Sequence, residues 1–126
     1  MSTEEKQNLP TYQDSNSVEY PQNEIEVSNF IKKFYKSSVP IELIGSGSKR
    51  KIGKPLQCSK TLSLTKLNGI IEYLPEELYI KVKACTSIQQ IEEELKKNKQ
   101  QLAFEPIDFG YLFNGKSNCG TAAGQV

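Results

Sequence analysis

Pro40 leads into Ile41-Glu42-Leu43-Ile44, and this short apolar run empties directly into Gly45-Ser46-Gly47-Ser48-Lys49-Arg50-Lys51-Ile52-Gly53. A buried strand that ends in a loop of small residues followed by three cations constrains the fold more than any other stretch of the chain. Gly45 and Gly47 have no Cβ and tolerate positive φ, so the loop can curl with successive N–H groups turned inward as an anion cradle. Ser46 and Ser48 add hydroxyl donors, and Lys49, Arg50 and Lys51 add a local positive field. A phosphate or pyrophosphate is the expected guest. The same residues also suit a plain turn beside a solvated basic face. Two familiar phosphate loops are excluded, because Lys49 lacks the P-loop spacing and Pro55 forbids the helix that a Rossmann fingerprint requires.

The chain has 126 residues, the size of one domain or part of one. A net charge of +1 gives no general pull toward nucleic acid or membrane. Lys49-Arg50-Lys51 is too short a patch, without interleaved aromatic residues, to read as a nucleic-acid surface. No apolar run approaches a membrane span, and the first residues lack the apolar core of a signal peptide, so a cytoplasmic protein is expected. The absence of histidine removes Ser-His and Cys-His catalysis and histidine metal ligands. Cys58, Cys85 and Cys119 are far apart and odd in number, which suits reduced structural thiols and no metal site.

Along the chain, residues 1–22 are polar with Pro10 and Pro21 and read as a flexible tail, with one domain expected over residues 23–126. Asn23 caps a helix that runs through Phe34-Tyr35 on the spacing of Ile25 or Val27, Phe30 or Ile31, and Phe34. Thr61–Leu64, Gly69–Tyr73 and Leu78–Ala84 read as adjacent strands, with a turn at Pro75-Glu76-Glu77. Ser87, with Gln90 three residues on, opens a second helix carrying Ile88, Ile91 and Leu95 on one face and Glu92–Lys96 and Glu93–Lys97 pairs on the other. Gln101–Phe104 reads as a last strand, Glu105-Pro106 begins an irregular stretch to Asn118, and Gly120-Thr121-Ala122-Ala123-Gly124 suits a second close approach of backbone to ligand. Such a run after a long loop ordinarily leads into another element, so the chain is expected to be a piece of a longer protein.

In this order, Ile44-Gly45-Ser46-Gly47-Ser48-Lys49, Gly53-Lys54-Pro55, Gly69-Ile70-Ile71-Glu72-Tyr73 and Pro75-Glu76-Glu77-Leu78 resemble the FAD-binding subunits of bacterial glycolate oxidases. The likeness continues through Val82-Lys83-Ala84-Cys85-Thr86, Gln101-Leu102-Ala103-Phe104-Glu105-Pro106 and Gly120-Thr121-Ala122-Ala123-Gly124, across about residues 40 to 126. Those subunits are vanillyl-alcohol-oxidase-type flavoproteins with an α+β, PCMH-type FAD-binding domain. The resemblance implies the N-terminal subdomain of such a domain, a small sheet with two helices, incomplete at this length. It implies that Gly45, Ser46, Gly47, Ser48, Lys49 and Arg50 receive the FAD pyrophosphate, and that Pro106, Gly120, Thr121 and Gly124 lie along the cofactor. Cys85 stands where the family commonly has glycine, and Ala122-Ala123 where Ile-Gly is usual. Without histidine there is no histidyl link, so non-covalent FAD is expected.

The resemblance further implies a dehydrogenase subunit that oxidises glycolate or a similar small 2-hydroxy acid and is inactive as this piece alone. Its partners would be other glycolate oxidase-type subunits, an iron–sulfur subunit among them, which could bring it to the periphery of the inner membrane. No catalytic base is named, since Glu105 and Asp108 sit in an irregular segment where carboxylates are commonly solvated. The other reading is a non-catalytic FAD-binding or assembly subunit without turnover of its own.

Overall fold

The computed structural model describes residues 18–50, 52–54, 56–109, 112 and 120–125. Within them the chain is α+β, built as two small sheets with α-helices beside them. The first sheet is parallel in the order β1 (Val18–Glu19), β3 (Lys60–Ser63), β2 (Ile41–Ile44). Ile41 to Ile44 pair in register with Lys60 to Ser63, and Val18 and Glu19 pair with Thr61 and Leu62. Flanked on both sides, β3 buries Thr61, Leu62 and Ser63. At the edge, β2 keeps Leu43 exposed and passes straight into the glycine loop.

The expected polar tail therefore ends sooner than Gln22. Val18-Glu19 adds to β3, and Pro21 is fully buried. Two residues in a polar context carry no periodicity, so only the long-range pairing reveals this strand. Residues 1–17 lie outside the described part.

α1 (Glu24–Lys36) begins as its sequence requires. Asn23, extended at φ −152°, accepts from the Glu26 N–H at 2.9 Å, and Glu26 reaches back to accept from the Gln22 N–H at 2.7 Å. Phe30 and Phe34 stack with centroids 5.9 Å apart.

The second sheet is the antiparallel pair β4 (Ile70–Leu74) and β5 (Tyr79–Val82), joined through a 3-10 turn at Pro75–Glu77 with Leu78 at φ 54°. Between Ile70 and Glu72 the register shifts, leaving Ile71 as a bulge. β3 was expected beside these strands and instead belongs to the other sheet. All three share an alternating pattern, and the pattern says which face is buried, not which strand is the neighbour.

α2 (Ile88–Lys97) is capped by Ser87, which accepts from the Gln90 N–H at 3.1 Å. Ile91 and Leu95 are buried with Ala122, and Tyr73, Ile80, Val82, Ile88 and Leu102 pack around them. The expected Glu92–Lys96 and Glu93–Lys97 pairs give way to Glu94–Lys97 at 2.7 Å, while Glu93 accepts from the Gln89 amide at 3.0 Å. Gln101–Phe104 is irregular rather than a strand, because Leu102 packs on the α2 cluster and the segment's main chain joins no ladder. The last described element is the single turn α3 (Ala122–Gln125). The irregular stretch expected as far as Asn118 lies in part outside the described residues.

Candidate functional site

Residues 83–87 join β5 to α2 and, with Ile88 at the start of that helix, gather the rest of the chain. The Cys85 N–H donates to Leu67 O at 2.9 Å, Ala123 N–H to Ala84 O at 3.0 Å, Ala122 N–H to Thr86 O at 2.8 Å and Ile88 N–H to Gly120 O at 3.1 Å. Thr86 is wholly buried, its hydroxyl 2.7 Å from Lys83 O and 3.0 Å from the Gly69 N–H that donates to it. These bonds set the turn at Gly120–Gln125 directly opposite the loop that leaves β2. Sequence separation hides that pairing.

The loop curls as its glycines allow. Gly47 has φ +74°, and the Arg50 N–H closes back on its carbonyl at 3.3 Å. Gly45 is packed so closely that a Cβ there would lie 3.3 Å from Cys85 Sγ and 3.4 Å from Thr121 Oγ1. Among the described residues, the main-chain N–H groups of Gly45, Gly47 and Lys49 donate to no other main-chain group. The Ser46 and Ser48 hydroxyls lie 3.5 Å apart beside them. N–H groups left over at a curled, glycine-built loop fit an anion, and a side chain at Gly45 would crowd Cys85 and Thr121.

Loop and turn face each other across a groove of about 720 Å³. Gly45 to Arg50 form one side, Gly120, Thr121 and Gly124 the other, and Leu43, Ile52 and Leu56 supply exposed apolar surface between. Lys49 spans the two sides, its ammonium donating to Gly124 O and lying 5.6 Å from the Phe109 ring centroid. Arg50 turns back to Glu42, with Nε 3.1 Å from Oε1 and Nη2 2.6 Å from Oε2. Of the ten residues expected from sequence to line the site, nine meet here. Pro106 does not, for it lines a separate groove of about 750 Å³ with Gln101 and Glu105 against α2. Glu105 is on that second groove as well, and neither it nor Asp108 is among the residues lining the first.

Sequence reasoning passed over Glu42 and Gln125, and noted Cys85 only as a departure from the family's usual glycine. Glu42 carried a readable signal, a carboxylate inside an otherwise apolar strand that demands a buried partner. Gln125, which donates to Ile107 O at 2.8 Å and so ties the turn inward, carried none. Burial pushes the Cys85 thiol above its ordinary range, so it stands by the cradle as a protonated packing group. Among the described residues no cluster of three histidine, cysteine or acidic side chains is placed to hold a metal ion. No helix there is long and apolar enough to cross a membrane.

Residues 16–112 match the FAD binding domain family. The chain belongs to that family. The match takes in the loop from Gly45 to Arg50 and ends before Gly120, so the facing wall of the groove is found through the fold. This FAD binding domain is also 34% identical over 85 residues to the glycolate oxidase subunit GlcE of Escherichia coli (strain K12), covering 66% of this chain and 24% of that protein. The matched region thus spans about a quarter of the length of that curated relative.

Proposed function

We propose that this chain is the FAD-holding part of a flavin-dependent oxidoreductase subunit similar to that of glycolate oxidase, with the cofactor bound non-covalently. The observation that carries the proposal is that Gly45, Gly47 and Lys49, whose main-chain N–H groups have no main-chain acceptor among the described residues, line one groove together with Gly120, Thr121 and Gly124. That geometry occurs in a chain of the FAD binding domain family. In this reading the FAD pyrophosphate lies against those N–H groups and the Ser46 and Ser48 hydroxyls. Gly120, Thr121 and Gly124 face it, and Leu43, Ile52 and Leu56 exclude water from its apolar parts. The chain has no histidine, which rules out a histidyl link from this chain.

Bound flavin supplies the hydride acceptor for a 2-hydroxy acid such as glycolate, while the protein binds and orients it. The name of the similar subunit supports both that substrate and an assembly with other subunits. An iron–sulfur subunit as the next electron carrier, and a cytoplasmic site at the inner-membrane periphery, complete the proposal. A second reading, FAD binding or assembly without turnover, is favoured by one observation. Glu42 is the acid lining the groove among the described residues, and it is held by Arg50 and Thr61 rather than placed to take a proton.

Purification in the presence of FAD, followed by anaerobic addition of glycolate, tests both. Because this piece alone is expected to be inactive, the glycolate step is run on the full-length subunit in its assembled complex. Retained flavin bleached by glycolate supports the oxidoreductase, and retained flavin that stays oxidised there supports the second reading. A colourless protein with no FAD affinity overturns both.

A further inference from the structure

We infer that Arg50 is a positioning residue, the clasp that holds the anion cradle curled, and not a ligand of the cradle's guest. The inference takes only the identity of that guest, FAD, from the reading above. Arg50 offers its guanidinium fork to Glu42 through two charge-assisted bonds of 3.1 and 2.6 Å, the bidentate arrangement in which guanidinium and carboxylate match best. Thr61 on the central strand donates to the same carboxylate at 3.2 Å. Glu42 is 8% exposed, so its charge is tolerated only while these partners are present.

The clasp grips the apex of the loop as well as its root. The aliphatic stem of Arg50 passes over Gly47, where a Cβ would lie 3.4 Å from Arg50 Cδ, and the Arg50 N–H donates to Gly47 O at 3.3 Å. Gly47 at φ +74° sets the bend, and Arg50 fastens it to β2, the strand from which the loop has just emerged. The orientation of the N–H groups at Gly45, Gly47 and Lys49 is therefore fixed before any anion arrives. Arg50 contributes little net field to the groove, because Glu42 offsets its charge at contact distance.

A clasp and a direct ligand respond oppositely to loss of Glu42. E42Q removes the carboxylate's charge and one of the two acceptors that hold the guanidinium, so an Arg50 that binds phosphate should hold FAD as well as before or more tightly. A clasp should instead lose affinity by roughly tenfold in E42Q and in R50Q alike, with the double variant no weaker than either single one. R50Q strands a buried carboxylate and risks unfolding the chain, so R50K is measured beside it. Lysine keeps the charge without the fork, so R50K should weaken binding and speed exchange at Arg50 in the FAD-free chain if Arg50 is a clasp, whereas for a ligand it would leave that exchange unchanged.

FAD affinity of the 126-residue chain and its variants, together with amide exchange at Arg50 without FAD, decides the matter. Weakened binding and faster exchange in both E42Q and R50K are expected. Unchanged or tighter binding in E42Q, or unchanged exchange in both variants, overturns the clasp. If the wild-type chain binds no FAD, the cofactor reading falls, and the exchange rates alone then support or overturn the clasp.

Discussion

Lys49 donates from its ammonium to the main-chain carbonyl of Gly124, 75 residues further along the chain. One side chain thus bridges the loop after β2 to the turn that closes the far side of the groove, with the Phe109 ring beneath the charge. Lys49→Met keeps the stem and removes the donor. The expected outcome is a loss of about 1 kcal/mol in FAD binding, roughly fivefold, with faster amide exchange over residues 122–125. Unchanged affinity and exchange would show that the bridge does not organise the groove.

Gly45 is a position of close approach rather than of positive φ. Gly45→Ala brings a methyl group to 3.3 Å from Cys85 Sγ and 3.4 Å from Thr121 Oγ1, at an expected cost of about 1–3 kcal/mol for overpacking. Cys85→Ala opens space on one side, so the double variant should recover part of that loss in urea unfolding. Strictly additive effects would contradict the contact.

Thr86 makes the connection on which the facing wall depends. It is wholly buried, and its hydroxyl serves Lys83 O and the Gly69 N–H together. Thr86→Val preserves the shape and leaves those groups without a partner, for an expected loss of about 1–3 kcal/mol in urea denaturation.

Cys85 should add an alkaline sensitivity to the fold. Burial raises its pKa above the ordinary 9.0, so the folded state holds the proton more tightly than the unfolded chain. Below 9.0 both states are protonated and nothing is lost; as pH rises beyond it the unfolded chain ionises first and stability falls. Urea unfolding compared between about pH 8 and pH 10 should show a decline that Cys85→Ala diminishes.

Local chemistry explains which parts of this structure are legible in the sequence. Asn23 and Ser87 mark the helix starts because a capping oxygen acts within three residues. The run from Pro40 to Gly47 announces a strand and a curled loop because proline, β-branching and glycine each restrict φ where they stand. The division into two sheets, the strand at Val18-Glu19, the clasp from Arg50 to Glu42 and the bridge from Lys49 to Gly124 depend on partners distant in the chain. No periodicity encodes them. The cations following Gly47 read as a field for an anion, and the engagement of Arg50 with Glu42 and of Lys49 with Gly124 appears only once the chain is folded.

The most direct measurement of the central claim is a titration of the isotopically labelled chain with FAD, following its backbone amide resonances. The account predicts saturable shifts concentrated at Gly45–Lys49 and Gly120–Gly124, abolished by Gly47→Asp, which places a negative side chain in the cradle. Shifts centred instead on the second groove at Gln101–Pro106, or no saturable shifts at all, would contradict it.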